Sequence, residues 1–467
     1  MNINSKDFNF KKTTMKHINK YISLEKIVFF SIFSSTLYIL IYNIYHYSPI
    51  LGYDGEAHFA YVDYVARHLP QRFKLPSSEF SREFFNPPLG YIFPAIAQVF
   101  CRNIIESADL LKDCKPIYGN FTQVFQSILY LATIFINLHT LKLFNKSKSY
   151  INLSYLIMVS LLAVNYKTIS MIRGEPYILF FMSLFVLQIY KFESNFFIFK
   201  NKDVILMGVI IAGLALSRQW AFLLFLAIVF ITFIDKDTKK LLKFWIPSSI
   251  LGFCLSGWFY INLYLIYGSF TAFNMKPVIP TFNILNLTVP NYENVSAIFT
   301  KPIRPYLDNH FFSILYSDLW GDYWGYFTFT SKYLKIGKNQ NEIGDYLARV
   351  NIVSVFSTII VIVLCVMTYT FFKKHMFIRY ISFSIPISFI GYYIFSILFP
   401  TDTGDVIKAT YIVQAFNLMV FSSSVYLENL KLKNIKIYNI ILLILLLVYI
   451  HNFGTFTSNS PRYFYPY

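Results

Sequence analysis

Long apolar runs separated by short polar stretches make up most of this chain of 467 residues. Many of the runs are roughly 17 to 24 residues long, which is the length that an α-helix needs to cross a bilayer. The pattern predicts about 11 membrane-spanning helices. They are expected at residues 27–45, 121–141, 150–166, 175–190, 204–217, 219–234, 244–267, 351–372, 377–399, 406–426 and 437–451. The predicted fold class is therefore an all-α polytopic membrane protein.

The composition supports this class, and the distribution of basic residues explains the positive net charge. Hydrophobic residues make up 56% of the chain and charged residues only 14%, whereas soluble domains carry about 25% charged residues. A net charge of +17 could suggest nucleic-acid binding. The basic residues, however, fall in short runs between apolar segments, such as "KKTTMKHINK" and "DKDTKKLLK". That spacing is typical of the positive-inside rule, so we expect no nucleic-acid partner.

The charge pattern also predicts which loops are external. The run at 121–141 ends in the basic "KLFNKSKSY", which should be cytoplasmic. The short "PPLGYIFPAIAQVF" segment before it should therefore lie along the membrane interface rather than span it. The two longest loops, 46–120 and 268–349, then fall on the same external side. Cys101 and Cys114, in the first of them, are the only plausible disulfide pair.

These expectations divide the chain into four parts. They are a cytoplasmic N-terminus (1–26), a transmembrane module (27–267) that includes the external loop 46–120, a second external loop (268–349) and C-terminal transmembrane helices (350–467).

A polar cluster, "YDGEAHFAYVDYVARHLP", follows the first span. Four apolar residues from Phe59 to Leu69 are spaced as one helical stripe, while Asp63 and Arg67 fall on another face. This predicts an amphipathic helix that begins near Glu56 and lies on the outer leaflet. Asp54 could simply be the N-cap of that helix, and Glu56 a first-turn carboxylate favoured by the helix dipole. Alternatively, the two carboxylates carry chemistry.

The motifs resemble those of a known family. "YDGEAHFAYVDYVARHLP" followed by "NPPLGYIFPA" is similar to the first external loop of GT-C glycosyltransferases that use polyprenyl-phosphate sugars. The motifs look more like the branch that contains protein O-mannosyltransferases and aminoarabinose transferases. "IRGEPYILFF", "GLALSRQWAFLLF", "SDLWGDYWGYF" and "KATYIVQAF" match other family features more loosely. The family's acidic pair is adjacent, whereas Gly55 separates Asp54 from Glu56 here, which leaves open which carboxylate acts.

The resemblance implies a GT-C-type bundle with interfacial helices in the first external loop. It also implies an inverting hexosyl- or pentosyltransferase that moves a sugar from a polyprenyl-phosphate donor to a hydroxyl of a glycan, lipid or protein acceptor. Asp54 is the expected general base, with Glu56 as the second candidate. The residues expected to bind substrate or lipid phosphate are His58, Arg173, Glu175, Arg218 and Lys408. The expected acceptor or sugar contacts are Tyr91, Trp320 and Trp324.

Each of these residues also has a structural interpretation. The arginines and Lys408 could snorkel to the interface, His58 could only bridge to Asp54, and the tryptophans could be interface anchors. No ligand set for a metal is compelling, although Asp54, Glu56 and Glu175 could hold Mg²⁺ or Mn²⁺.

Other functions and compartments stay open at this point. A polytopic transporter or a flippase for lipid-linked sugars is the alternative function, and a catalytically inactive scaffold is a third. The Asn-, Lys-, Ile- and Phe-rich composition favours a bacterial inner membrane, with the endoplasmic reticulum as the alternative.

Overall fold

The computed structural model describes residues 5–48, 51–106, 114–146, 150–235, 237–277, 292–307, 309–328, 338–401 and 404–458. Every regular element in these ranges is a helix. Parts of the second predicted external loop, residues 278–291 and 329–337, lie outside the described residues.

Sixteen α-helices are described, and we number them in chain order. They are α1 (Ser5–His46), α2 (Gly55–His68), α3 (Leu89–Cys101), α4 (Lys115–Phe144), α5 (Leu153–Ser160), α6 (Ala163–Ser170), α7 (Glu175–Ser194), α8 (Asn201–Ser217), α9 (Phe222–Ile234), α10 (Thr238–Tyr267), α11 (Tyr292–Thr300), α12 (Phe311–Trp320), α13 (Lys338–Phe372), α14 (Met376–Leu398), α15 (Val413–Lys433) and α16 (Ile435–His451).

Six of the described helices contain a segment long and apolar enough to cross a membrane. The segments are Leu24–His46, Gly119–Phe144, Glu175–Ser194, Thr238–Tyr267, Ile343–Phe372 and Met376–Leu398. Helices α5 and α6, bent by 63° at their junction, would form a seventh span. The chain therefore has the helices of a multi-pass membrane protein. Large apolar side chains such as Phe253 on α10 and Phe356 on α13 are more than half exposed, as expected for surfaces that contact lipid.

The number of membrane-length helices is smaller than the number of predicted spans, although each predicted span coincides with one described helix or with a pair of them. Length explains part of the difference, because α8 has 17 residues and α9 has 13. Composition explains another part. Helix α15 buries polar residues, among them Gln414, Asn417 and Ser423, against the helices around it, and these polar residues lower its hydropathy.

The first loop forms two short helices that pack on each other. Helix α2 begins at Gly55, close to the expected start, and its buried Val62 and Ala66 contact Ala95 of α3. The apolar stripe of α2 is thus partly covered by protein. With 13 residues, α3 is about 20 Å long, too short to cross a bilayer. A disulfide between Cys101 and Cys114 joins the end of α3 to the start of α4 and confirms the predicted pair.

Glycines bring three helix ends into backbone contact. A Cβ atom on Gly174 would lie 2.1 Å from the carbonyl oxygen of Ser217, and one on Gly90 would lie 2.8 Å from the Cα of Gly174. Only glycine fits at such distances. The beginnings of α3 and α7 and the end of α8 therefore meet at one point, and the polar residues next to these ends are drawn together.

Candidate functional site

Ionisable side chains from five connecting segments converge at one end of the bundle, which we call the Asp54 end. The segments precede α2, α3 and α7, join α8 to α9, and precede α15; they contribute Asp54, Glu83, Arg173, Arg218 and Lys408, respectively. The helices hold these segments in place, while the segments themselves supply the polar groups.

Asp54 and Glu56 point to different places. Asp54 occupies the N-cap position of α2 with φ 56° and ψ 27°, but its side chain makes no capping hydrogen bond. Its carboxylate instead accepts hydrogen bonds from Lys408 Nζ at 3.1 Å and pairs with Arg82 at 2.6 Å. Glu56 is exposed and, among the described residues, makes no ion pair. Of the two predicted bases, only Asp54 belongs to the cluster.

The charges around Asp54 keep it ionised. Lys408 is the largest influence and lowers the pKa of the Asp54 carboxyl well below its usual range; burial opposes this shift, and Arg82 reinforces it. Lys408 itself is buried. Burial lowers its pKa, whereas Tyr411 and Asp54 raise it, and the net shift is upward. The pair is therefore a carboxylate facing an ammonium at neutral pH.

Glu175 lies between two buried arginines. Its Oε1 accepts from Arg218 Nε at 3.0 Å, and its Oε2 lies 3.4 Å from Arg173 Nε. Burial is the largest single influence and lowers the pKa of both arginines, but Glu175 and the nearby tyrosines together raise each pKa above its usual value. Both guanidinium groups therefore stay charged. They are almost fully enclosed, with 1% of Arg173 and 4% of Arg218 exposed, so neither snorkels to an interface.

Two residues without a predicted role lie beside Arg218 and complete the pocket that Arg173, Glu175 and Arg218 form. Asn86 accepts a hydrogen bond from Arg218 through Oδ1 and donates one to Glu83 through Nδ2. Glu83 also lies 3.8 Å from Arg218. Burial raises the pKa of Glu83, although Arg218 opposes the shift. Protonation of Glu83 would leave the pocket with an excess of positive charge.

His58 is a buried neutral imidazole. Its Nδ1 is hydrogen-bonded to Tyr91 OH at 2.7 Å, while its Nε2 is buried without a hydrogen-bond partner in the described part of the chain. Burial is the main cause that lowers the pKa of His58 well below its usual value, followed by Arg173. Its 3.9 Å separation from Glu83 is therefore not an ion pair. The predicted bridge from His58 to Asp54 is replaced by a bond to Tyr91.

Three cations surround one aromatic ring. The ring centroid of Tyr411 lies 5.7 Å from the guanidinium of Arg173, 5.6 Å from that of Arg218 and 5.5 Å from Lys408 Nζ. The Tyr53 ring lies 5.2 Å from Arg173 and 5.0 Å from Lys408. Rings on both sides hold the like charges close together through cation–π contacts.

Buried polar atoms in this pocket lack hydrogen bonds. Among the residues described, no hydrogen bond reaches four of these atoms: Nε and Nη2 of Arg173, Oε2 of Glu175 and Nε2 of His58. Such atoms are costly in a folded protein unless water or a ligand completes them. The pocket is chemically suited to an anion that accepts hydrogen bonds from Arg173.

Neither comparison with known proteins identifies the chain: no protein-family model matches it, and no curated protein matches it either. The resemblance to GT-C glycosyltransferases therefore rests on the sequence motifs, and the function has to be argued from the geometry of the site.

The two tryptophans predicted to contact sugar are buried. Trp324 donates from Nε1 to the carbonyl oxygen of Ile407 at 3.0 Å, directly before Lys408. Trp320 donates to Thr358 at 3.0 Å and lines an apolar cavity of about 280 Å³. Trp324 thus supports the segment that carries Lys408, while Trp320 belongs to the interior of the bundle.

The predicted oxygen ligands for a metal are not arranged as a metal site. Asp54 is held by Lys408 and Arg82, Glu175 by two arginines, and Glu56 points elsewhere. Across the described ranges, no group of three or more His, Cys, Asp or Glu side chains could hold a metal ion. The residues present do not fit Mg²⁺ or Mn²⁺.

An apolar cavity has lining residues within four positions of Arg218 in the sequence. It has a volume of about 450 Å³ and lies between α8, α9 and α10. Ala215 and Phe222, on either side of Arg218 in the sequence, line it, and it extends along the helices to Phe233 and Leu242. An extended hydrocarbon chain could lie in it with a polar head at the cation pocket.

Four residues at the site were not predicted from the sequence. Two of them lie in motifs that could have indicated them, and two do not. Asn86 belongs to the "NPPLGY" motif, and Tyr411 to "KATY". Glu83 and Arg82 lie in a stretch without regular secondary structure, so no helical spacing links them to the site.

Proposed function

We propose that the protein is a membrane glycosyltransferase of the GT-C type, with about 11 spans, that transfers a sugar from a polyprenyl-phosphate donor to an acceptor hydroxyl on the external side. The observation that carries the proposal is the buried pocket of Arg173, Arg218 and Lys408 around Tyr411, with the Asp54 carboxylate at its edge.

The cation pocket suits the phosphate of the donor. Arginine and lysine donate charge-assisted hydrogen bonds to phosphate oxygens, and Arg173 has buried donors without hydrogen bonds. The apolar cavity beside Arg218 suits the polyprenyl chain. A phosphate seated in the pocket would place the negative charge of the departing group against three fixed cations.

Asp54 is suited to take the acceptor proton. The acceptor oxygen forms a bond to the anomeric carbon, while the bond from that carbon to the phosphate oxygen breaks with inversion. The hydroxyl proton passes to the Asp54 carboxylate, and the bonding electrons leave with the polyprenyl phosphate. The ion pair with Lys408 makes Asp54 a weak base in the resting protein. A donor phosphate that draws Lys408 toward itself would raise the pKa of Asp54 and make it a stronger base. No step is assigned to a metal ion.

The disulfide supports an external site. Cys101 and Cys114 lie in the same loop as Asp54, and disulfides persist in oxidising compartments such as the periplasm or the endoplasmic reticulum lumen. A periplasmic or lumenal active site is consistent with that, and the inner membrane of a bacterium is our preferred location.

Transfer of labelled sugar tests this proposal. The full-length protein, reconstituted with membrane extract as the source of acceptor, is supplied with a panel of labelled polyprenyl-phosphate hexoses and pentoses. We expect transfer from at least one donor, and Asp54→Asn should reduce its rate by roughly 10²- to 10⁴-fold, the usual contribution of a general base. Glu56→Gln is the matched control and should retain the wild-type rate within a few-fold.

Two outcomes would overturn the assignment. Full activity of Asp54→Asn would remove its role as the base. Movement of lipid-linked sugar across the bilayer without any transfer would favour the alternative function, a flippase or transporter.

A further inference from the structure

We propose that Asp318 is a positioning residue that fixes the distance between Asp54 and Lys408 by holding the neighbours of both. Its effect on catalysis rests on the proposed function; its effect on distance does not.

Asp318 is a fully buried acid near the end of α12. Its Oδ1 accepts a hydrogen bond from Tyr53 OH at 2.8 Å, and its Oδ2 accepts one from the backbone N–H of Ala409 at 2.8 Å. Tyr53 directly precedes Asp54 in the sequence, and Ala409 directly follows Lys408. One carboxylate therefore binds both chain segments that carry the Asp54–Lys408 pair.

The two segments need such a tie because neither is a regular element. Asp54 lies in a turn directly before α2, and residues 404–408 lie in the connection between α14 and α15, before the short 3-10 helix Ala409–Ile412. Lys408 lies 354 residues from Asp54, yet their side chains meet at 3.1 Å. Because charge-assisted hydrogen bonds are short and directional, the two bonds to Asp318 restrict both segments at once.

Lys167 supplies the charge that Asp318 requires in the interior. Its Nζ forms an ion pair with Oδ1 of Asp318 and also donates to the Asp318 carbonyl oxygen at 2.9 Å. A buried carboxylate without a counter-charge would be very costly. Lys167 thus provides the counter-charge for the Asp318 carboxylate.

Asp322 provides a matched control. It is also fully buried, and it lies 4.0 Å from Lys167. Its Oδ2 accepts from the backbone N–H groups of Phe327 and Thr328, so it stabilises its own loop. It has no bond to Tyr53 or to Ala409 in the described structure. Asp322→Asn keeps one oxygen that can accept from both N–H groups of its loop, whereas Asp318→Asn loses one of the two oxygens that bind different segments. Asp322→Asn should therefore lower stability without releasing the Asp54–Lys408 pair.

The first test measures distance and needs no substrate. The double variant Asp54→Cys/Lys408→Cys is made in the full chain, with Cys254→Ser and Cys365→Ser to remove the free thiols. Because the contact is made through the long lysine side chain, the two thiols are joined with a short bis-methanethiosulfonate cross-linker rather than by a direct S–S bond, which needs Cα atoms within about 7 Å. We expect efficient cross-linking, a several-fold lower yield when Asp318→Asn is added, and an unchanged yield with Asp322→Asn. Equal yields with and without Asp318→Asn would overturn the proposal.

The second test uses sugar transfer and separates positioning from stability. Asp318→Asn should lower kcat by roughly 10- to 100-fold, the scale expected for a misplacement of about 1 Å, with little change in KM. The acid limb of the pH profile should also move to higher pH, because Asp54 loses part of its contact with Lys408 while its other charged or titratable neighbours, Arg82, His58 and Glu83, are unaltered. Asp322→Asn should lower the melting temperature without moving that limb.

The two tests also separate this proposal from the proposed function. If the wild-type protein transfers no sugar, the transferase assignment fails, and the cross-linking yield still decides the role of Asp318. If transfer occurs but Asp318→Asn gives the same pH profile and kcat as Asp322→Asn, the positioning role is overturned.

Discussion

The two ends of the bundle both carry ion pairs between helices, but they are built differently. At the end opposite the Asp54 end, which we call the Lys431 end, Lys431 binds Glu25 at 2.6 and 2.8 Å. Glu193 accepts from the backbone of Phe377 at 2.8 Å, and Arg379 pairs with Asp235. Each of these acids has a partner on another helix or connecting segment. This is the pattern of contacts that hold helices together.

The Asp54 end also pairs its cations with acids, but it crowds the cations together. Three cations share the Tyr411 ring, and Arg173, Glu175 and His58 keep buried atoms without hydrogen bonds. Among the ionisable groups named at the Lys431 end, only Arg379 leaves such an atom. Crowded cations and buried polar atoms without hydrogen bonds, as at the Asp54 end, do not favour stability. The difference supports the proposal that the Asp54 end binds an anion.

The largest expected difference between the ends comes from removing one cation at each. Arg218→Ala should reduce the rate of transfer by about 100-fold or more, the scale for losing one preorganised donor to a developing negative charge. Lys431→Ala should leave the rate within a few-fold while lowering the melting temperature. Initial rates and thermal unfolding of the two variants in the same membrane mimetic check this. Comparable losses of activity would show that both ends contribute only to folding.

A change at Gly174 should affect the Asp54 end with no change in its charges. A methyl group there would meet the Ser217 carbonyl oxygen, so Gly174→Ala should separate the ends of α7 and α8 at a cost of about 1–3 kcal/mol, as for overpacking. Glu175 and Arg218 should then lose their contact and transfer should fall. Gly268→Ala is the control, because nothing lies within 4 Å of its added methyl group; only the cost of its positive φ remains. Thermal unfolding and transfer are measured for both variants. Equal stability and equal transfer rates of Gly174→Ala and Gly268→Ala would contradict this expectation.

The smallest expected effect is a shift in pH dependence at the Asp54 end. Asp54 acts as a base only when ionised, so activity is lost as pH falls through its pKa. Lys408 is the main cause that keeps this pKa low. In Lys408→Met the largest remaining influence on the pKa of Asp54 is burial, which raises it. The acid limb of the pH–rate profile should therefore move to higher pH. Lys431→Met should not move that limb. Transfer rates measured across a pH series test the direction of the shift, and an unmoved limb in Lys408→Met would show that Asp54 is not the titrating group.

Much of the arrangement could be predicted because periodicity and charge act locally. Neighbouring residues predict the helix that follows Asp54, the short segment after "NPP" and the break between the spans 204–217 and 219–234. The structure brings Arg173, Glu175, Arg218 and Lys408 together with Asp54, as the motif resemblance implied. Their roles in binding or transfer stay predictions.

The rest depends on contacts between distant segments. Glu56 follows Asp54 by two residues, yet the left-handed backbone at Asp54 sends the two side chains apart. Tryptophan suits a membrane interface and a packed interior equally well, so composition did not show that Trp320 and Trp324 are enclosed. Asp318 contacts Tyr53, 265 residues away, and no local pattern reveals such a pair.

The positive φ of Asp54 has a consequence for anyone who engineers this protein. Glycine adopts that backbone conformation more easily than aspartate does, so Asp54→Gly would relieve the backbone. The same change would leave the buried Lys408 without its carboxylate, and removing one partner of a buried ion pair is strongly destabilising. A screen for heat resistance should therefore keep aspartate at this position, and with it the carboxylate that the proposed transfer needs.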